Sequence, residues 1–458
     1  METILIAVFI LGYLLITLEH PLKLDKTVTA LIMAATLWGL LAVGFHSGWL
    51  EIIGVDHRAF AFNGFGGNGQ EAFDDTLLYH LASVSEILIF LICAMAIVEI
   101  MDLHRAFSVV QDFVSTKSYS RLLWIIGTLS FFLSSVIDNL TTTIIVISLL
   151  RTLIPEQDRR IWYAGMVVIA ANAGGAWSPI GDVTTTMLWI DDKVTALGLA
   201  EHLIIPSLVC FVVPFAIGSI FLRPFRGYAE FKTDEDREVM KLLSSRTMFY
   251  LGLGAIVSVP FFRAATDLPP YIGMILALGI VWLVSEYITP LKDLTQSQKN
   301  LYSAKRALER IELSSILFFL GILLSVAALE TLSYGLINGG DKVGTLRYFA
   351  EVMNAAIPNR EAVSTLIGVA SAVIDNVPLV AAALGMFNDP VDDRLWHLLA
   401  FTAGTGGSML IIGSAAGVAA MGMEKIRFGW YLKNIAWLAA LGFLAGIAAF
   451  IILKPAGL

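Results

Sequence analysis

Long apolar runs are the feature that most limits how this chain can fold. Twelve segments with few charges alternate with polar connections, and several reach the about 20 residues that a helix needs to cross about 30 Å of hydrocarbon. Only 15% of the 458 residues are charged and 57% are apolar, whereas charged residues make up about a quarter of a soluble domain. The sequence therefore predicts an all-α polytopic membrane protein and excludes a disordered or collagen-like chain.

Charge and motif content exclude several functions. The net charge is −8 and no basic tract is interleaved with aromatic residues, so we expect no nucleic-acid partner. Both of the two cysteines lie in apolar runs, which is not the pattern of a disulfide framework or a cysteine-rich metal site. Because nucleotide, metalloprotease and nucleophile motifs are absent in a suitable context, we expect no enzyme, no ATP-driven pump and no cofactor. The seven histidines are expected at segment ends, without a close pair.

Lys and Arg side chains indicate which connections face the cytoplasm, because cytoplasmic loops are enriched in them. Most of these residues lie in six connections, including residues 223–246 and 292–310, whereas the connection 46–79 is acidic. This distribution predicts ten spans plus two hairpins, with both termini on the outer side of the cytoplasmic (inner) membrane.

Segment 121–150 does not fit simple alternation, because basic residues flank it at both ends. A helix of roughly 30 residues would measure about 45 Å, which exceeds the hydrocarbon thickness. The polar sequence Ser-Ser-Val-Ile-Asp-Asn-Leu-Thr-Thr-Thr begins at position 134 and is unfavourable inside a helix. We therefore predict a re-entrant helical hairpin with a polar tip. Acidic residues flank segment 361–388, which predicts a second hairpin that enters from the opposite side.

An internal repeat relates the two hairpins. The tip sequence at 134–139 recurs 237 residues later as Ser-Ala-Val-Ile-Asp-Asn. A glycine-broken span follows each hairpin, and Gly174, Gly175 and Gly181 match three glycines of the second span at an offset of 232. Paired glycine-interrupted spans in inverted halves point to the binding site of a transporter. The predicted organisation has four parts. Residues 1–79 form N-terminal scaffold helices and an external loop, and residues 80–222 form a first inverted repeat with hairpin 121–150 and broken helix 162–190. Residues 223–312 form two linking helices with cytoplasmic loops, and residues 313–458 form a second inverted repeat with hairpin 361–388 and broken helix 395–421.

The polar tips and the glycine breaks together predict cation sites. Carboxylate, amide and hydroxyl oxygens are hard ligands that suit Na⁺ or Li⁺, and unwound backbone adds carbonyl oxygens where protein surrounds it. We expect Asp138 and Asn139 to face the break at 172–182. Asp375 and Asn376 are expected to face the break at 404–414. The candidate sodium ligands are Asp138, Asn139, Thr141, Asn172, Gly174, Ser178, Asp182, Asp375, Asn376, Gly406, Ser408 and Ser414. The alternative is that the tip aspartates only cap the hairpin helices, because Asp and Asn are good N-caps.

The two predicted sites differ in charge. Asp182 lies in the first break, whereas Ser414 stands at the matching position of the second. Close carboxylates raise each other's proton affinity. Asp138 and Asp182 are therefore the preferred pair for competition between a proton and a cation, and Asp375 is the second candidate for proton coupling.

The same motifs resemble a known family. Ser-Ser-Val-Ile-Asp-Asn-Leu-Thr-Thr-Thr from position 134 and Asn-Ala-Gly-Gly-Ala-Trp-Ser-Pro-Ile-Gly-Asp-Val-Thr-Thr from position 172 are similar to the NhaD-type sodium/proton antiporters. These belong to the ion transporter superfamily, together with sodium-coupled dicarboxylate symporters and arsenite efflux proteins. The resemblance covers residues 80–453. It implies a homodimer in which a transport domain, here residues 121–222 and 361–453, moves like an elevator against a scaffold.

These patterns predict a secondary antiporter that exchanges Na⁺, with Li⁺ as the second candidate, for H⁺. A Na⁺-coupled symporter of an anion such as a dicarboxylate is the first alternative. It would need positive or hydroxyl groups at the tips, where this chain has aspartates and no Lys or Arg, and carboxylates repel an anion at low dielectric. A metalloid efflux carrier is the second alternative, but neither cysteine lies in a motif.

Overall fold

A computed structural model describes residues 1–19, 24–113, 116–228, 242–288, 304–337 and 341–453, and most of them are helical. The helices are α1 (Glu2–Thr17), α2 (Lys26–His46), α3 (Asn68–Leu103), α4 (Tyr119–Ser134), α5 (Asn139–Leu153), α6 (Gln157–Gly175), α7 (Val183–Ile190), α8 (Ala196–Phe221), α9 (Ser245–Thr266), α10 (Pro270–Tyr287), α11 (Ala304–Leu308), α12 (Leu313–Thr331), α13 (Thr345–Ala356), α14 (Arg360–Ala370), α15 (Asn376–Met386), α16 (Arg394–Gly406), α17 (Ala415–Glu424), α18 (Phe428–Asn434) and α19 (Ala436–Ile452). Short 3₁₀ helices cover Ala106–Phe113 and Arg223–Phe225.

Several of these helices are long and apolar enough to cross a membrane. Within the described ranges, α2, α3, α8, α9, α10 and α12 meet this condition, and α18 with α19 forms a further candidate that is bent by 52°. Apolar helices of 10–17 residues are α1, α4, α5 and α15. The protein is therefore a multi-span membrane protein. The predicted cytoplasmic loops 223–246 and 292–310 lie largely outside the described residues.

Two small β-ribbons modify the all-α expectation. Strand β1 (Ile52–Ile53) pairs antiparallel with β2 (Ala59–Phe60), and β3 (Ser333–Ile337) pairs antiparallel with β4 (Asp341–Gly344). The Ser333 amide also donates to the Glu51 carbonyl at 3.2 Å, which connects the ribbons. Connections between spans still need partners for their backbone polar groups. Short ribbons satisfy this need without changing the helical character of the spans.

One compact unit contains residues 1–89, 312–363 and 377–390. In it, α2 packs along α12. A Cβ atom at Gly321 would lie 2.6 Å from the carbonyl carbon of Ala30, so glycine allows the two backbones to touch. The Trp38 indole donates to the Leu324 carbonyl at 2.9 Å across the same contact.

The other compact unit contains residues 90–311, 364–376 and 391–458. Its helices α8 and α19 pack closely, because a Cβ atom at Gly442 would lie only 2.5 Å from the Cys210 carbonyl oxygen. Helices α4, α5, α6, α16 and α17 of this unit also pack on one another, and their ends meet at the positions of the predicted tips and breaks.

The expectation that the histidines form no close pair is wrong. His202 and His397 stack with ring centroids 4.4 Å apart and an interplanar angle of 11°. His397 and His104 are fully buried, and His104 contacts two serine hydroxyls at 2.8 and 3.0 Å. The pair was missed because its members lie far apart along the chain and meet only through the packing of α8 against α16.

Candidate functional site

Four helix interruptions supply the polar groups of the site. They separate α4 from α5, α6 from α7, α14 from α15, and α16 from α17. Each interruption leaves backbone groups at helix ends that need partners. The side chains of Asp138, Asp182 and Ser414 cap α5, α7 and α17, and each accepts a hydrogen bond from a backbone amide in the first turn.

Glycines bring the first tip and the first break into backbone contact. A Cβ atom at Gly174 would lie 2.1 Å from the Phe131 carbonyl oxygen, and one at Gly181 would lie 2.5 Å from that of Ser134. The Ser134 hydroxyl donates to the Ala171 carbonyl at 2.7 Å. Any side chain larger than hydrogen would separate these segments.

The second tip and the second break repeat this contact. A Cβ atom at Gly406 would lie 2.0 Å from the Gly368 carbonyl oxygen, and one at Gly413 would lie 2.6 Å from that of Ser371. The Ser371 hydroxyl donates to the Ala403 carbonyl at 2.8 Å. The residues involved are those that the sequence repeat pairs, so equivalent positions of the two repeats make equivalent contacts.

Asp182 is the centre of the polar cluster. It is 2% exposed, and its carboxylate accepts hydrogen bonds from Asn139 Nδ2 at 3.3 Å and from Asn376 Nδ2 at 3.1 Å. The Thr184 amide donates to the same carboxylate at 3.1 Å. Among the residues that the structure describes, no Lys or Arg forms an ion pair with Asp182. The carboxylate is thus surrounded by neutral donors from both tips.

Asn172 joins the two breaks. Its amide oxygen accepts from Asn139 at 3.0 Å, and its nitrogen donates to Ser408 at 2.9 Å and to Ser414 at 3.0 Å. All four side chains are buried. We expected each tip to face its own break, but Asn376 of the second tip contacts Asp182 of the first break. The two predicted sites therefore form one continuous network, because the four interruptions converge.

The other predicted residues have more local partners. Asp138 is half-buried and accepts from both the amide and the hydroxyl of Thr141, at 2.8 and 2.6 Å. Capping therefore accounts for part of its role. Ser178 accepts from the Ile180 amide at 3.3 Å, whereas Asp375 is half-buried beside Asn376. Gly174 and Gly406 contribute close packing, as shown above.

The structure draws attention to Thr184, which is not among the predicted ligands. Its hydroxyl is fully buried next to the Asp182 carboxylate, and no hydrogen bond of standard geometry satisfies it within the described part of the chain. The neighbouring hydroxyls of Thr185 and Thr186 donate to backbone carbonyls at 2.7 and 2.9 Å. The sequence shows the run of three threonines, but it does not show that Thr184 is the member whose hydroxyl has no backbone acceptor.

A buried ion-pair cluster closes one end of the same unit. The Glu424 side chain is fully buried and contacts Arg151 Nε and Arg160 Nε, each at 2.7 Å. Its carbonyl accepts from Gln157 at 3.0 Å. The cluster ties the end of α17 to the connection between α5 and α6. Sequence reasoning did not single out these residues, since charges beside predicted loops are usually solvated.

Comparison with known proteins identifies the family. A protein-family profile described as citrate transporter matches residues 13–397. The chain belongs to this transporter family. Relatives named sodium/proton antiporter match nearly the whole chain, so the resemblance to NhaD-type antiporters is confirmed.

Three relatives illustrate the similarity. Sodium/proton antiporter 1 of Arabidopsis thaliana is 43% identical over 97% of this chain and 71% of its own length. Sodium/proton antiporter 2 of the same organism is 40% identical over 97% of both chains. The Na(+)/H(+) antiporter NhaD of Alkalimonas amylolytica is 30% identical over 97% of this chain and 89% of its own length.

A solved structure shares the fold. The crystal structure of the YdaH transporter of Alcanivorax borkumensis matches with a TM-score of 0.57 and covers 93% of this chain and 98% of its own. Only 11% of the aligned residues are identical. At this identity the match supports a common transporter fold and says nothing about substrate.

Glu424→Gln tests the ion-pair cluster. It leaves two partly buried guanidinium groups without a carboxylate, which destabilises the folded state by about 3 kcal/mol. Thermal unfolding of the detergent-purified protein measures the loss. The matched control is Glu156→Gln, because the Glu156 side chain is 67% exposed where it pairs with Arg159, and such a pair contributes less than about 1 kcal/mol. Equal effects of both variants would contradict the assignment.

Proposed function

We propose that this protein is a secondary antiporter of the cytoplasmic (inner) membrane that exchanges Na⁺, with Li⁺ as second candidate, for H⁺. The observation that carries the proposal is the buried Asp182 carboxylate, which receives only neutral hydrogen-bond donors. An uncompensated buried charge costs several kcal/mol, and an intramembrane carboxylate is a functional hypothesis by default. Either a cation or a proton removes this cost. The names of the relatives support the same exchange.

The network offers oxygen ligands for the cation. Because Asn139 and Asn376 donate through Nδ2, their amide oxygens are acceptors, and the hydroxyls of Ser408 and Ser414 also carry lone pairs. Hard oxygen ligands favour Na⁺ or Li⁺ over soft metals. We assign cation binding to Asp138, Asn139, Thr141, Asn172, Gly174, Ser178, Asp182, Asp375, Asn376, Gly406, Ser408 and Ser414. We also assign cation binding to Thr184, because its hydroxyl is the nearest one in sequence to Asp182.

Competition at the carboxylates couples the two ions. Na⁺ binds the ionised form of Asp182, with Asp138 and Asp375 as further proton-coupling groups, and a proton on the carboxylate removes the charge that attracts the cation. Both loaded forms have a neutralised site, whereas the empty form has an unpaired buried charge. Because only neutralised forms cross the membrane at low cost, one ion moves in exchange for the other.

The membrane arrangement is part of the proposal. Helices α4 and α5, and likewise α14 and α15, form re-entrant hairpins that enter from opposite sides, and α6 with α7 and α16 with α17 form the broken spans of an inverted repeat. The equal glycine contacts in both halves support this arrangement, as does the shortness of these helices, each below 17 residues except α6. Both termini then lie on the outer side.

We also propose an elevator-like transport domain, residues 121–222 and 361–453, within a homodimer. The support is the sequence resemblance, together with the presence of tip residues 134–139 and 371–376 and of both breaks in one compact unit, although residues 361–363 and 377–390 belong to the other unit. Light scattering on the detergent-purified protein, with two chains expected per particle, measures the oligomeric state.

Cysteine labelling tests the hairpins. In a background where Cys93 and Cys210 are replaced by serine, cysteines at Lys117 and Asp158 flank the first hairpin and cysteines at Asn359 and Asn388 flank the second. All four native side chains are exposed. An impermeant thiol reagent should label the first two from the cytoplasmic side and the last two from the outer side. Labelling of the two ends of either hairpin from different sides would mean a full span instead.

Asp182→Asn should abolish exchange, because the amide keeps the hydrogen-bonding shape but neither releases a proton nor carries the charge that attracts Na⁺. Na⁺-dependent proton flux in everted vesicles is expected to fall at least about tenfold, which corresponds to about 1.4 kcal/mol or more in the rate-limiting step. Asp56→Asn, in the loop between β1 and β2, serves as the matched control with unchanged flux. Wild-type flux in Asp182→Asn would overturn the assignment.

The exchange should weaken as the pH falls on the side from which Na⁺ binds. Protonation removes the ionised carboxylate, so acidification below the carboxyl pKa raises the apparent KM for Na⁺ by about tenfold per pH unit, with an unchanged maximal rate. Above that pKa the KM becomes independent of pH. Initial rates over a series of Na⁺ concentrations at several pH values measure this effect. A falling maximal rate at constant KM would show that proton and cation occupy separate groups.

The anion symporter is the weaker candidate, although the family profile is described as citrate transporter. The side chains that surround Asp182 are neutral amides and hydroxyls, and its own charge repels an anion. The metalloid carrier lacks a soft ligand, because Cys93 and Cys210 are buried outside the network. The flux assay separates these cases, since neither citrate nor arsenite should stimulate Na⁺ movement.

A further inference from the structure

A second titratable cluster lies away from the Asp182 network, where α8 and α16 begin. We call it the histidine junction and define it as Thr195, His202, Asp392 and His397. The two imidazole rings stack at 4.4 Å. His397 is fully buried, neither of its ring nitrogens makes a hydrogen bond of standard geometry within the described residues, and its Nε2 atom lies 3.4 Å from Asp392 Oδ1.

Neutral donors hold the Asp392 carboxylate in place. The amide and the hydroxyl of Thr195 donate to it at 2.8 and 2.7 Å, and the Asp392 amide donates to the Lys193 carbonyl at 2.9 Å. Asp392 has φ 59°, a left-handed conformation that a non-glycine residue rarely adopts. The tertiary contacts thus fix a carboxylate beside a fully buried imidazole.

The described charged residues around the junction contact other groups or are exposed. On α8, Glu201 is exposed, and at the end of α7 Lys193 contacts Asp191 at 3.8 Å. On α16 itself, Asp393 caps the helix and Arg394 donates to the Phe450 carbonyl at 3.0 Å. Helix α19 has no charged residue between Ala436 and Ile452, and the charges of α6 lie in its first turn, at the far end of that helix from Asn172.

The geometry gives a proton on His397 a partner. The imidazole of His202 donates from Nδ1 to the Gly198 carbonyl at 2.9 Å, so its ring is held by the backbone. A proton on His397 would form an ion pair with Asp392, whose Oδ1 atom lies 3.4 Å from His397 Nε2.

The opposite junction of the repeat is chemically different. The offset of 232 pairs Asp392 with Arg160, which belongs to the Glu424 cluster. Arginine remains charged at every working pH. The Glu424 cluster therefore contains two permanent positive charges, whereas no Lys or Arg is a member of the histidine junction.

We propose that the histidine junction is a second proton-binding site that takes up one proton on the side of the membrane where α16 begins and, when protonated, supports exchange. His397 lies near the start of helix α16, and the helix ends at Gly406, two residues before Ser408. Ser408 accepts a hydrogen bond from Asn172. An added ion pair between His397 and Asp392 would stabilise the start of α16, and the other end of this helix lies next to Ser408 of the cation network. The effect on exchange rests on the proposed antiport, whereas proton uptake by the pair does not.

Ring-preserving variants test the proposal. His397→Phe keeps an aromatic ring in the stack but removes the nitrogen that faces Asp392. His202→Phe keeps the ring and leaves His397 with Asp392, and Glu201→Gln removes a neighbouring titratable group outside the junction. In proteoliposomes with the pH varied on one side at a time, the wild type and His202→Phe should depend on outer-side protons with a slope of about two, and His397→Phe with a slope of about one. Glu201→Gln should keep the wild-type slope.

Histidine-selective NMR of the labelled full-length protein gives an independent readout. Comparison with the two variants assigns the signals, and His397 should take up one proton over the working pH range. No uptake by His397 in the wild type, or an unchanged slope in folded His397→Phe, would overturn the proposal. If the wild type shows no Na⁺-dependent flux, the antiport proposal fails, and the NMR titration alone then decides whether the junction binds a proton.

Discussion

A single buried carboxylate, Asp182, sets the main electrostatic constraint on this protein. Its hydrogen-bond partners are two asparagine amides and one backbone amide, so its charge is oriented but not neutralised. In a soluble protein such a group would pair with Lys or Arg or reach water. In the proposed mechanism, the same group is the reversible site for a small cation or a proton, and the surrounding helix interruptions supply the oxygen ligands.

Helix interruptions at membrane depth need compensation, and the glycines provide it. Close backbone approach at Gly174 and Gly181, and again at Gly406 and Gly413, lets each break pack against a tip. Serine hydroxyls and N-cap side chains then satisfy the helix-end groups. Polar backbone is tolerated here because other protein segments, and not lipid, surround it. The repeated glycine spacing is therefore a packing requirement before it is a functional signal.

Two charged clusters outside the central network carry different chemistry. Glu424 pairs with two arginines, whereas Asp392 lies beside the stacked imidazoles of His397 and His202. We propose that the second cluster binds a proton. An exchanger that uses protons as a substrate gains a second point of control from such an asymmetry.

Local sequence patterns predicted most helices, the breaks between them and most members of the central cluster, because apolar length, glycine spacing and the repeated Asp-Asn pair are local properties of the chain. Asn139, Asn172, Asp182, Asn376, Ser408 and Ser414 were all among the predicted ligands. How distant side chains pair was visible only in the folded chain: Asn376 contacts Asp182, and His202 stacks on His397. Contacts between distant segments depend on the packing of whole helices, and no local pattern encodes which side chains that packing brings together.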